Sequence, residues 1–388
     1  MLYLLPLFLL FQNPWVTDPV SATDVAHVIF YSEAVGDEVS FHIYLPPAYQ
    51  QNPDDRLPVL YWLHGSGGGL PGIPTLRNYF HYHIASDNIP PMIVVFPWGL
   101  PQGMWVDSKS GHQPVESMLM DDLIPFVDNR YRTIAEPDGR LLEGFSMGGY
   151  GAARLGLTYY DRFAGFSMLG AGPLQLDFVN YPHARTPPEL RQQIFEEVYG
   201  GDQEYFEAMS PWRIAETAAD ELPDGYVMRQ VIGLDDELLI MNRELQAHWT
   251  DLGLNWQYLE VPDIGHVTAP LLGHLAQHGE LAFYQSVFGT ATSAEPDEMT
   301  PSTPELFHNY PNPFNPETTV RYQVAEAGPV TLEVFDITGR LITTLVDVHQ
   351  SPGAYSVSFH PGGLASGPYV LKMTTASHTQ TRKMMLVK

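Results

Sequence analysis

The stretch Gly144-Phe145-Ser146-Met147-Gly148-Gly149 organises the reading of this sequence. As a bare pattern, Gly-x-Ser-x-Gly is weak, and its neighbours are what make it informative. The run Arg140-Leu-Leu-Glu143 enters it as a strand, and Gly148-Gly-Tyr-Gly-Ala-Ala-Arg154 leaves it as the start of a helix. Strand, sharp turn and helix in that order predict a strained elbow that turns the Ser146 hydroxyl outward. The flanking glycines let strand and helix approach without a Cβ clash. A helix N-terminus beside the serine also favours negative charge there.

Working outward, short apolar strands alternate with amphipathic helices over residues 25–288, the pattern of an α/β domain with a mostly parallel sheet. Strands are predicted at Ala26–Tyr31, Val39–Leu45, Val59–Leu63, Met92–Phe96, Leu141–Gly144, Gly165–Met168, Val227–Ile232 and Trp256–Val261. The first two flank Gly36-Asp37 and read as an antiparallel hairpin. Helices are predicted at Glu116–Tyr131, Gly148–Tyr159, Pro188–Tyr199, Glu237–Leu252 and Leu271–Phe288, with His81 and His83 in a loop.

A serine hydroxyl is a poor nucleophile unless a base takes its proton and an acid orients that base. In the order Ser, acid, His, the partners should follow late strands. Val231-Ile-Gly-Leu-Asp-Asp-Glu237 supplies the acid, and Val261-Pro-Asp-Ile-Gly-His266 supplies the base. Only one of the adjacent acids can face the histidine. Asp236 is preferred, with Asp235 left open. An oxyanion needs two prearranged donors. One is the Met147 N–H, after the nucleophile. The glycine-rich loop Leu63-His64-Gly65-Ser66-Gly67-Gly68-Gly69 offers the other, with Ser66 N–H first and Gly65 or Gly67 as alternatives. No Gly-Lys-[Ser/Thr] follows this loop, which argues against phosphate binding. No His-Glu-x-x-His pattern occurs, so no metal and no cofactor are expected.

Composition bounds the setting. The chain has 388 residues and a formal charge of −26, from 19 Lys+Arg against 45 Asp+Glu. A balance this acidic argues against nucleic-acid partners and anionic membrane surfaces, both of which need a basic footprint. With no cysteine, disulfides, thiolate metal sites and a cysteine nucleophile are excluded. The apolar run Leu2–Phe11 is too short to span a bilayer, and Val20-Ser21-Ala22 follows it with small residues. Residues 1–22 therefore read as a signal peptide cleaved after Ala22, although no Lys or Arg precedes Arg56. No stable membrane span is expected.

Residues 290–304 are small, polar and proline-containing, as in a linker. The tail beyond, residues 305–388, holds six acids and six bases, so the rest of the chain carries the whole negative balance. Six or seven short alternating runs in the tail, split by Asp336-Ile-Thr-Gly339, Ser351-Pro-Gly353 and Pro361-Gly-Gly363, predict a small Ig-like β-sandwich.

Two resemblances sharpen this reading. The tail carries Tyr310-Pro-Asn-Pro-Phe-Asn-Pro316, Val334-Phe-Asp-Ile-Thr-Gly-Arg340, Gly367-Pro-Tyr-Val370 and the closing Lys383 and Lys388. It resembles a type IX secretion sorting domain, which implies passage through that machinery to the exterior or the cell surface. Residues 23–289 are similar to the esterases that include esterase D, carbohydrate esterase family 1 and the mycolyltransferases. The matching stretches are Tyr44-Leu-Pro-Pro-Ala-Tyr49, Pro58–Gly65, Asp121–Val127 with Tyr131-Arg132, Gly144–Ala152 and Gly253–His266. This resemblance implies the α/β-hydrolase fold and cofactor-free hydrolysis of carboxylic esters. It assigns Ser146 as nucleophile, Asp236 as acid, His266 as base, and Ser66 with Met147 as oxyanion donors. Members often carry a Trp shortly after the histidine, whereas this chain reads Val267-Thr-Ala-Pro270.

The expected function is a secreted serine esterase acting on acyl esters, feruloyl or acetyl, of plant polysaccharide. A general short-chain carboxylesterase is the alternative. A serine peptidase, a sugar acyltransferase and a noncatalytic adhesin rank lower.

Overall fold

The computed structural model describes residues 13–289, 304–306, 309, 314 and 316–387. The chain divides into two compact units, 1–292 and 293–388. The interval 290–303, read as a linker, lies outside the described residues, as do residues 1–12 of the expected leader and most of Tyr310–Pro316.

The first unit is built on one eight-stranded sheet. Its strands are β1 (Val25–Ser32), β2 (Asp37–Tyr44), β3 (Val59–Leu63), β4 (Ile93–Pro97), β5 (Arg140–Phe145), β6 (Gly165–Leu169), β7 (Val227–Gly233) and β8 (Gln257–Val261). They lie in the order β1-β2-β4-β3-β5-β6-β7-β8. The β1–β2 hairpin forms as the Gly36-Asp37 turn predicts, with Ser32 opposite Asp37, and β2 runs antiparallel to β4. From β4 to β8 every pairing is parallel. Sequence and structure agree on all eight strands to within about two residues.

Period-two alternation explains why the central strands read as unbroken apolar runs. Val59, Tyr61 and Leu63 of β3 enter the core on one face, while Leu60 and Trp62 enter the core on the other. A parallel sheet covered on both faces has no polar side to show.

Helices differ from expectation in instructive places. The predicted Leu271–Phe288 helix is two helices, Thr268–Gln277 and Ala282–Phe288, separated where Gly279 takes φ +84°. Residues Ile73–Ala85, with His81 and His83, form a helix and not a loop. Its Thr, Tyr, Phe and His residues are weak helix formers. It forms because Ile73, Leu76, Phe80 and Ile84 recur at helical spacing and bury against the sheet. Between β6 and β7 lie helices Pro188–Glu197, Gln203–Ala208 and Pro211–Ala218, all in the segment 174–225.

The second unit is a β-sandwich of two antiparallel sheets. One holds β9 (Glu305–Leu306), β10 (Thr318–Val324) and β13 (Gly353–Phe359). The other holds β11 (Gly328–Asp336), β12 (Leu341–Gln350), β14 (Gly367–Thr374) and β15 (Thr379–Leu386). Leu306, Val320, Tyr322, Leu332, Leu371 and Met384 meet in its core.

Candidate active site

The elbow is where sequence chemistry becomes geometry. Ser146 follows β5 and precedes helix Met147–Thr158, with φ +60° and ψ −119°. That region is unfavourable for a residue with a Cβ, and it persists here because the surroundings leave no room to relax. A Cβ on Gly144 would lie 2.3 Å from the Gly148 carbonyl oxygen, and one on Gly148 would lie 1.9 Å from that of Leu63. Ser146 N–H donates to Leu169 O at 2.9 Å, tying the turn to β6.

The structure brings the three predicted polar side chains into one hydrogen-bonded chain. His266, on the loop after β8, places Nε2 2.9 Å from Ser146 Oγ. Its Nδ1 lies 2.8 Å from Asp236 Oδ2 and 3.1 Å from Oδ1. Asp236 follows β7 and is buried, and its Oδ1 also accepts from the Leu238 N–H at 2.8 Å. Asp235, beside it, is exposed. The Phe145 ring packs 4.6 Å from the His266 ring and backs it from the strand side.

The glycine loop runs alongside the serine, since a Cβ on Gly65 would lie 3.3 Å from Ser146 Cβ. Within it, Gly67 N–H is spent on Pro101 O and Gly68 N–H on Gly65 O. His64, to which the sequence reading assigned no role, holds the loop's start. Its Nδ1 contacts Gly65 O at 2.8 Å and its Nε2 accepts from Gly99 N–H at 3.1 Å. Its carbonyl accepts from Trp105 Nε1. Burial pushes the His64 imidazole down to about 4, against the opposing effect of its bond to Gly65. A His-Gly pair ending a strand before a glycine run was the available signal for it.

A cleft opens on Ser146 and Ser66. Its far wall comes from the 174–225 segment, through Gln175, Phe178, Tyr181 and Ile194. In that segment Tyr181 lines the cleft, whereas Tyr199 and Phe206 are core. Met104 lines the cleft as well, while Trp105 is wholly buried. Among the described residues, one group of acids and histidine is close enough to share a cation: Asp236, Glu237 and His266. It shares Asp236 and His266 with the hydrogen-bonded chain, where both His266 nitrogens are already engaged.

Comparisons with known proteins agree with this architecture. Residues 32–263 match the model of the family described as putative esterase, and residues 308–388 match that of a secretion system C-terminal sorting domain. An esterase of Mycobacterium tuberculosis is 28% identical over 276 residues. The match covers 65% of this chain and 58% of the relative, so the chain spans less than two thirds of that protein. An endo-1,4-beta-xylanase/feruloyl esterase of Xylanibacter ruminicola is 30% identical over 169 residues, covering 42% of this chain and 23% of the relative. A solved ferulic acid esterase superposes with a TM-score of 0.55 at 21% identity, covering 68% of this chain and 98% of its own. The family match takes in Ser146 and Asp236 and ends three residues before His266. Because it covers more than half of the sequence, the chain belongs to the putative esterase family.

Proposed function

We propose that this protein hydrolyses carboxylic esters through a covalent acyl-enzyme formed on Ser146. The observation that carries the reading is His266, bridged at hydrogen-bond distance to Ser146 Oγ on one side and to the Asp236 carboxylate on the other. Asp236 accepts a hydrogen bond from Nδ1–H, which holds that tautomer and so keeps Nε2 free as a base. His266 takes the Ser146 proton as Oγ attacks the ester carbonyl, then returns it to the departing alcohol. Water repeats the sequence on the acyl-enzyme and releases the acid. The tetrahedral oxyanion lies between Met147 N–H, at the first position of its helix, and the loop 65–67. A first-turn N–H has no partner within its own helix. Gly67 N–H is already spent, so Ser66 N–H is the favoured second donor.

For substrate, the reading favours acyl esters, feruloyl or acetyl, carried on plant polysaccharide. The Xylanibacter relative, named for xylanase and feruloyl esterase activity, supports it, as does a cleft that pairs apolar Phe178 and Ile194 with polar Gln175. The tail supports export through the type IX machinery to the exterior or cell surface. No helix among the described residues is long and apolar enough to cross a membrane.

The test is a panel of p-nitrophenyl esters, methyl ferulate and acetylated xylan, assayed with wild type and Ser146→Ala. The variant is expected to lose at least about 10³-fold in kcat. Equal activity in both proteins refutes the nucleophile. Preference for p-nitrophenyl butyrate over methyl ferulate and acetylated xylan favours a general short-chain carboxylesterase, and no turnover of any ester favours a noncatalytic role.

A further inference from the structure

We infer that residues Asn13–Thr17, upstream of the first strand, are a working part of the esterase that positions its oxyanion loop through Trp98. β4 ends at Pro97, opposite Phe41 of β2, so the edge of β2 from Glu38 to Ser40 has no strand partner on that side. The upstream segment fills this gap. Asn13 Nδ2 donates to Glu38 O at 2.7 Å, Ser40 N–H donates to Trp15 O at 3.0 Å, and Thr17 N–H donates to Ser40 Oγ at 2.8 Å. Trp15 is buried in the same core as Val39 and Phe41.

This strap grips one residue of the active-site rim. Trp98, directly after β4, donates its indole N–H to Pro14 O at 2.8 Å. The Trp98 ring then presses on the glycine loop. It lies 5.0 Å from the His64 ring, and a Cβ on Gly68 would be 2.7 Å from its edge. Pro14 therefore fixes Trp98, and Trp98 with His64 fixes Gly65–Gly69, the loop that presents Ser66 N–H. Donors of this kind work only when held at the position where charge develops, and a misplacement of about 1 Å can cost up to ~10²-fold. Trp98 is on this argument a positioning residue. Cleavage after Ala22 would remove the strap, so the working enzyme starts at or before Asn13.

The inference rests on the esterase reading, and the experiment separates the two. Chains 1–388, 13–388 and 23–388, together with Trp98→Phe and Ser146→Ala in 1–388, are assayed on p-nitrophenyl acetate. Active sites are counted with an irreversible organophosphonate, and thermal midpoints are recorded. Trp98→Phe keeps a ring and loses the N–H. It should lower kcat per titrated site roughly tenfold with KM within about twofold, at a midpoint close to wild type. Chain 13–388 should match 1–388, and 23–388 should show at least the Trp98→Phe defect. If 23–388 does not fold, Trp98→Phe decides. Wild-type kcat per site in Trp98→Phe overturns the inference while leaving Ser146→Ala to uphold the esterase reading. Absence of turnover in 1–388 itself overturns both.

Discussion

At the scale of single residues, two adjacent aspartates show how fine the determinants of this site are. Asp236 N–H turns back to Gly233 O, and its buried carboxylate meets His266, while Asp235 one position earlier faces solvent. Asp236→Asn should keep the fold but present the wrong hydrogen-bonding partner to Nδ1. Steady-state kinetics should show kcat lower by about 10³–10⁴-fold. The same loss from Asp235→Asn with little from Asp236→Asn would exchange their roles. A second residue-scale prediction concerns His64, buried as the neutral imidazole with its pKa at about 4. In the unfolded chain it takes up a proton near pH 6.5, so the unfolded state binds more protons as pH falls. Stability attributable to His64 is intact above about pH 6.5 and declines toward pH 4, by about 3 kcal/mol in all. Urea unfolding at pH 7, 5.5 and 4.5 should show a flatter pH dependence for His64→Gln than for wild type. Parallel curves would mean that His64 does not titrate differently between the two states. The Gly-Phe-Ser-Met-Gly run and the late-strand histidine were legible because each follows from local pattern. The sequence preferred Asp236 but left Asp235 open, because the choice depends on which side of one turn faces a loop 30 residues away.

At the scale of elements, the sheet hides a charged row that its apolar pattern does not suggest. Glu143 on β5, Ser167 on β6 and Arg229 on β7 stand opposite one another in register. Arg229 Nη2 meets Glu143 Oε1 at 2.7 Å and its Nε donates to Ser167 Oγ, with both charged side chains fully buried. Helix Ala282–Phe288 closes over them. Tyr284 OH donates to Glu143 Oε2 at 2.8 Å, and the Phe283 ring lies 3.8 Å from the guanidinium. Removing one partner strands a buried charge, so Glu143→Gln should destabilise the first unit by about 3–5 kcal/mol. The double variant Glu143→Leu with Arg229→Met should recover most of that loss. Denaturant titrations in which the double variant is no better than the single would count against a charge-stranding origin. The strands were readable because burial on both faces writes itself as apolar runs. The helix Ile73–Ala85 was not, because packing against the sheet outweighs the poor propensity of its Thr, Tyr, Phe and His residues.

At the scale of the whole molecule, the charge asymmetry along the chain follows the division into two units. The first 304 residues carry the net −26, while the neutral sandwich has its own core from Leu306 to Leu386. Deleting residues 304–388 should leave kcat/KM on p-nitrophenyl acetate within about twofold. It should also abolish surface delivery in a host with type IX secretion. A large loss of kcat/KM on deletion would make the sandwich part of the catalytic unit, and unchanged delivery would remove its sorting role. By itself the sequence determined the α/β architecture, the chain order Ser, Asp, His and the small β tail. These rest on periodicity, turn residues and motif spacing, which act over a few positions. Only the tertiary structure decided which acid meets His266, how His64 and Trp98 hold the glycine loop, and that residues 13–17 pair with the free edge of β2. Each of these depends on contacts between segments far apart in the chain, set by strand order and register.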